Sequence, residues 1–188
     1  MFIYPPLYRK LKRGPQVILP KDIGAIIAFS GVSKNSICVD AGLGSGWLAL
    51  SLARICKFVY AYELRSEFIE IAEKNRRILG IENIEFKNKD IFKGIDERMV
   101  DFISLDLPSP EKALRHCKKA LNMNGVVAGY SPNTEQVAAF AKKLDRLGFS
   151  DRYTIEVIAR EIMVRNEGVR PTTKGIWHTG YITFAILR

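Results

Sequence analysis

One segment constrains the fold of this chain more than any other: Val39-Asp40-Ala41-Gly42-Leu43-Gly44-Ser45-Gly46-Trp47. It reads as a buried strand, a tight glycine turn and the start of a helix. Backbone N–H groups at such a helix N-terminus are free to cradle a nucleotide-like ligand. A dinucleotide fingerprint requires G-x-G-x-x-G, but position 47 is Trp and the glycines fall at 42, 44 and 46. The next apolar strand ends in an acid, Glu63.

The 188 residues suit one domain, and 47% hydrophobic content is enough for a sizeable core. No apolar run is long enough to span a bilayer. Met1-Phe2-Ile3-Tyr4-Pro5-Pro6 does not read as a signal peptide, so the expected location is cytoplasmic. Cys38, Cys56 and Cys117 are odd in number, far apart and set in apolar surroundings. Neither a disulfide frame nor a metal site is expected. A net charge of +9, from 29 Lys and Arg against 20 Asp and Glu, favours an anionic partner such as nucleic acid.

Strand and helix patterns alternate along most of the chain, which predicts a parallel sheet covered on both faces. Residues 1–19 form a basic N-terminal segment expected to be irregular, with breakers at Pro5, Pro6, Gly14 and Pro15. Residues 20–188 form the main domain. Helices are expected at 20–30, 45–54, 66–79 (with Ser66 as N-cap), 110–121 and 134–147. Parallel strands are expected at 36–40, 58–62, 83–86, 100–105 and 125–130. Two longer strands, 152–164 and 180–187, have no helix between them and should pair antiparallel at one end of the sheet.

The glycine turn, Glu63 and the final antiparallel pair resemble S-adenosylmethionine (SAM) methyltransferases. That resemblance implies a Rossmann-like class I methyltransferase fold: α/β, with a mostly parallel seven-stranded sheet and a C-terminal antiparallel hairpin. It also implies SAM as cofactor. Gly42, Gly44, Ser45 and Gly46 then form the cofactor turn. Asp40 can accept from the ammonium of the methionine tail, and Glu63 from both ribose hydroxyls. Asp90 can accept from the adenine amino group while Ile91 covers the ring; for Asp90 a solvated loop or helix-cap role is an equal alternative. Asp106 follows the fourth strand, in Asp106-Leu107-Pro108-Ser109-Pro110, and is aimed at the crevice beyond the strand ends.

Five segments make the resemblance more specific. They are Arg13-Gly14-Pro15-Gln16 through Pro20-Lys21-Asp22, the glycine turn, Asp106-Leu107-Pro108, Tyr130-Ser131-Pro132 with Gln136, and Arg170-Pro171 followed by His178-Thr179-Gly180-Tyr181-Ile182-Thr183-Phe184-Ala185. In that order they resemble the tRNA (adenine-N1)-methyltransferases that modify T-loop position 57 or 58. The resemblance implies that Gln16 contacts the SAM tail and that Asp106 is the catalytic aspartate, binding the target amine and bordering the cofactor. It places Tyr130 beside the target pocket as a catalytic and substrate-binding aromatic. Gln136, Arg170 and His178 are further candidates for RNA contact. For Gln136 a capping role with Asn133 is an equal alternative, and for the Trp177-His178 segment a packed turn is. No metal is implied. The partner implied is tRNA, with no membrane and with assembly as a dimer or tetramer.

The family carries an N-terminal β-rich domain that grips tRNA and helps assembly; about a dozen residues precede Arg13 here. Two other readings stay open. One is a small-molecule methyltransferase of the precorrin type. The other is a non-catalytic RNA-binding subunit, for which a decayed cofactor turn would be expected.

Overall fold

The computed structural model describes residues 4–14 and 16–188. Pro15 and Met1-Phe2-Ile3, read above as a breaker and as part of the N-terminal stretch, lie outside the described residues. In chain order the elements are α1 (Pro6–Lys10), α2 (Pro20–Ser30), β1 (Ile37–Ala41), α3 (Trp47–Ala53), β2 (Phe58–Tyr62), α4 (Ser66–Leu79), β3 (Ile84–Lys87), β4 (Val100–Leu105) and α5 (Leu114–Ala120). Then follow β5 (Leu121–Ser131), α6 (Thr134–Leu147), β6 (Phe149–Glu156), β7 (Ile162–Arg165), β8 (Gly168–Pro171) and β9 (Tyr181–Leu187).

Seven strands form one sheet in the order β3-β2-β1-β4-β5-β9-β6. Strands β1 to β5 pair in parallel, and β9 runs antiparallel to both β5 and β6. The class I methyltransferase architecture is therefore present. Helices α2 and α3 bury Ile23, Ile26, Leu50 and Leu52 in one core cluster, and α5 and α6 bury Leu114, Cys117, Phe140 and Leu144 in the other. All three cysteines are free and buried. Among the described residues, no helix is long and apolar enough to cross a membrane.

Strand order reverses between β1 and β4, because the chain winds from β1 to β3 in one direction and from β4 onward in the other. The two carboxyl ends at that reversal open a crevice. Asp40 pairs with Ser104 and Ala41 with Leu105 in the register between these strands. The glycine turn and Asp106 thus leave adjacent strands side by side.

Four expectations change. The N-terminal segment holds a short helix, α1, started by Pro6 at its first turn, where a missing N–H costs nothing. The predicted strand 152–164 is two strands: β6 ends at Glu156, and Ile162–Arg165 folds back on Gly168–Pro171 as a separate two-stranded hairpin. The apolar residues that suggested one strand, Ile158, Ile162 and Val164, are exposed. The predicted helix 110–121 begins as a 3-10 turn over Pro110–Lys112 and ends at Ala120, since β5 starts at Leu121. Ser66 is not the cap of α4; Arg65 holds that position without a side-chain cap.

The N-terminal segment is tied to the site through Asn75, fully buried on α4. Its Oδ1 accepts from the Lys12 backbone N–H (2.7 Å), and its Nδ2 donates to the carbonyls of Lys12 (2.9 Å) and Ser45 (2.8 Å). One amide therefore joins the segment before Gln16 to the glycine turn. Trp47 adds to the same tie. Its indole donates to the Lys12 carbonyl (3.2 Å), and Tyr4 and Tyr8 pack on its ring. Asn75→Ala should cost about 1–3 kcal/mol, the scale for leaving buried backbone groups unpaired. Denaturant unfolding at neutral pH checks this; a loss below about 0.5 kcal/mol would contradict it.

Candidate active site

The glycine turn has its shape because three successive alternate residues take left-handed backbone angles: Gly42 (φ +86°), Gly44 (φ +51°) and Gly46 (φ +83°). Gly42 carries a second constraint. A Cβ there would lie 2.0 Å from the carbonyl oxygen of Asp106. The Asp106 N–H in turn donates to the Ala41 carbonyl (2.9 Å). The turn is held from the other side by Glu63. Its Oε2 accepts from the Gly44 N–H (3.1 Å), while Oε1 accepts from the N–H groups of Leu64 (3.0 Å) and Arg65 (3.1 Å).

Gln16, Val17, Ile18, Asp40, Gly42, Leu43, Gly44, Ser45, Trp47, Leu48 and Asp106 line one cleft of about 300 Å³. The structure thus brings together most of the residues read from sequence as a cofactor site. Ser45 is 2% exposed, and its Oγ is buried with no hydrogen-bond partner among the described residues. The cleft is also rich in negative charge. Burial raises the Asp40 carboxyl to about 7, against the opposing hydrogen bond from Ser104 Oγ, with Asp106 and Glu63 adding to the rise. Burial likewise lifts Asp106 to about 6, and the charge of Glu63 contributes. The Asp106 carboxylate has no hydrogen bond among the described residues. Such a cluster favours a ligand that brings positive charge and hydroxyl donors.

Tyr130, at the end of β5, lies close enough to Asp106 for that charge to raise its phenol, after burial as the main cause. The Tyr130 hydroxyl donates to Asp22 Oδ2 (3.4 Å). His178 bridges two elements at the rim. Nδ1 faces Glu156 Oε1 (2.6 Å) and Nε2 faces the Pro132 carbonyl (2.9 Å). Both partners can only accept when Glu156 is ionised, so both ring nitrogens donate and the imidazolium is favoured, as the raised His178 value reflects.

Other predicted residues lie elsewhere. Asp90 caps the 3-10 turn Ile91–Lys93, accepting from the Phe92 N–H (2.9 Å), and lines a separate depression with Leu64, Asn88 and Lys93. Ile91 is 4% exposed and packs in the core. Gln136 lies in the first turn of α6, where the Asn133 side chain caps its N–H (2.9 Å); its Oε1 is buried without a partner among the described residues. Arg170 is exposed on the β7–β8 hairpin, opposite Met163.

Sequence reading gave no role to Ser104, Lys21, Asp22 or Thr179. Ser104 is two residues before Asp106 and directly opposite Asp40, so strand register was the signal for it. Lys21, Asp22 and Thr179 sit inside the quoted segments, yet a contact across 157 residues leaves no local pattern.

Because Asp40 binds its proton more tightly when folded, its ionisation lowers stability as pH rises from the unfolded value near 4 through about 7. Asp40→Asn should therefore stabilise the ligand-free protein by on the order of 4 kcal/mol at pH 8. The gain should vanish toward pH 4. Thermal unfolding across pH checks this, and a pH-independent difference would contradict it.

Residues 5–173 match the family model described as the tRNA methyltransferase complex GCD14 subunit. The chain is 38% identical to the tRNA (adenine(57)-N(1)/adenine(58)-N(1))-methyltransferase TrmI of Methanocaldococcus jannaschii, over 95% of this chain and 74% of that protein. It is similar to the crystal structure of tRNA (m1A58) methyltransferase TrmI from Aquifex aeolicus, with a TM-score of 0.89 and 25% identity, over 96% of this chain and 73% of the other. It is also similar to a SAM-dependent O-methyltransferase structure from Thermotoga maritima, with a TM-score of 0.92 and 35% identity, over 97% and 71%. The seven-stranded sheet, the glycine turn beside Asp106 and these likenesses agree: the chain belongs to the tRNA methyltransferase complex GCD14 subunit family.

Proposed function

We propose that this chain transfers a methyl group from SAM to N1 of an adenine in tRNA, at a T-loop position of the 57/58 type, in the cytoplasm. The observation that carries the reading is the Asp106 carboxylate: half-buried, raised to about 6 and without a hydrogen bond among the described residues, in the lining of the glycine-turn cleft. The names of the relatives support the same acceptor.

The residues fit SAM. The clustered carboxylates ask for a cation, and SAM carries an ammonium and a sulfonium. The unpartnered Ser45 hydroxyl and the glycine-turn N–H groups suit its tail and ribose. Asp40 and Gln16 would hold the tail. Glu63 would take the ribose hydroxyls through lone pairs its backbone donors leave free. Once bound, SAM supplies an electrophilic methyl group.

Adenine N1 carries a lone pair, so no strong base is needed to make it nucleophilic. The product ring is cationic. Asp106 accepts a hydrogen bond from the exocyclic amine, holds N1 in line, stabilises the developing charge and can take an N6 proton. Tyr130 stacks against the extruded base. Exposed Lys112, Arg115 and Lys119 after Asp106, Arg9, Lys10, Lys12 and Arg13 in the N-terminal segment, and Arg165, Arg170 and Lys174 near the hairpin supply phosphate contacts. Exposed Ile162, Val164 and Val169 support self-association as a dimer or tetramer.

Incubation with labelled SAM and unmodified tRNA should yield 1-methyladenosine in the T-loop; transfer to another base or none would overturn the reading. Asp106→Ala should cut that transfer at least ~100-fold with SAM affinity near normal, and full activity would remove Asp106 from the chemistry. Binding to tRNA should fall steeply between 50 and 200 mM salt, in filter-binding titrations, as counterion release requires. A flat response would exclude a phosphate-dominated interface.

A further inference from the structure

Asp22 is fully buried at the start of α2. A buried carboxylate is costly unless it is paired and fully hydrogen-bonded. Here its partners are complete. Oδ1 accepts from Lys21 Nζ (2.7 Å), and Oδ2 accepts from Thr179 Oγ1 (2.8 Å) and the Tyr130 hydroxyl (3.4 Å). The Lys21 ammonium is equally saturated. Its other two protons go to the Val157 carbonyl (2.6 Å) and to Thr179 Oγ1 (2.6 Å). Thr179 therefore accepts from the cation and donates to the anion, which fixes the direction of its hydroxyl. The same segment closes on the tyrosine from below: a Cβ at Gly180 would lie 2.6 Å from Tyr130 Cζ, so the ring rests directly on that backbone.

Four chain segments, α2, the end of β5, the stretch after β6 and the approach to β9, thus converge on one phenol. We infer that Lys21, Asp22 and Thr179 form a positioning unit that sets the direction of the Tyr130 hydroxyl and ring toward the acceptor pocket beside Asp106. The inference rests on the adenine-methylating reading for its kinetic consequence, but its geometry does not. A buried ion pair is weak evidence for stability, because well-packed apolar residues can replace such a pair without loss. Its value here is orientation. Asp22 and Thr179 both bear on the tyrosine hydroxyl, and the close approach of Gly180 limits the plane of the ring.

Thr179→Val is nearly isosteric and removes only the hydroxyl link. It should lower kcat for tRNA methylation about tenfold, with SAM affinity unchanged, and Thr179→Ser should restore most of the loss. In a Tyr130→Phe background, Thr179→Val should add little, because the hydroxyl it orients is gone. An independent readout uses 13Cζ-tyrosine NMR, with the Tyr130 resonance assigned by its loss in Tyr130→Phe. Thr179→Val should shift that resonance. Asp22→Asn should lower the pH at which it titrates, since a facing negative charge is removed while Lys21 stays; Asp106 is the other charge facing the phenol. Multiplicative losses in the double variant, or an unshifted Tyr130 resonance, would overturn the inference. If the wild-type chain does not methylate tRNA, the functional reading falls, and the NMR arm still decides the positioning unit.

Discussion

The site depends on one close approach: the backbone of Gly42 against the carbonyl of Asp106. Without a Cβ, the turn leaving β1 can lie on the loop leaving β4, and Asp106 is fixed by its own N–H on Ala41. The remaining features follow. The left-handed turn frees its N–H groups, Glu63 anchors Gly44, and Asn75 draws the N-terminal segment down to the Ser45 carbonyl. Each interaction is a few kcal/mol at most, but all act on the same few residues, so they are expected to be coupled rather than additive.

The electrostatics run against stability. Asp40 and Asp106 face one cleft with the charge of Glu63 nearby, and burial raises Asp40 to about 7 and Asp106 to about 6. A fold chosen for stability alone would not gather them. Functional sites hold such strain when a ligand relieves it, and a cationic ligand relieves this one. The same logic separates Asp22 from Asp106. Asp22 is fully paired with Lys21 and acts as scaffold, whereas Asp106 has no hydrogen bond among the described residues and is open to a substrate.

Much of the fold was legible because it is local. The glycine spacing, the apolar runs of β1 and β4, the Gly80 and Gly148 caps and the antiparallel pairing of the last sheet strand all leave short-range patterns. Two places were misread for physical reasons. Pro110 sets a tight 3-10 turn where helix periodicity suggested a full helix. Exposed apolar residues at 158, 162 and 164 mimic a continuous strand. In the site, the carboxylates were legible because each ends a strand. The unit around Asp22 was not, since its partners meet only through the sheet order β5-β9-β6. For the Trp177-His178 segment the sequence leaves RNA contact and a packed turn equally open; the engagement of both His178 nitrogens by Glu156 and Pro132 suits a brace at the rim.

The contact between Gly42 and Asp106 shapes the glycine-turn cleft. Titration calorimetry of SAM with Gly42→Ala, shown to be folded by circular dichroism, tests it most directly. SAM affinity should fall at least about tenfold, because a Cβ at that position must push the two strand ends apart and strain a left-handed residue. Wild-type affinity in the folded variant would contradict it.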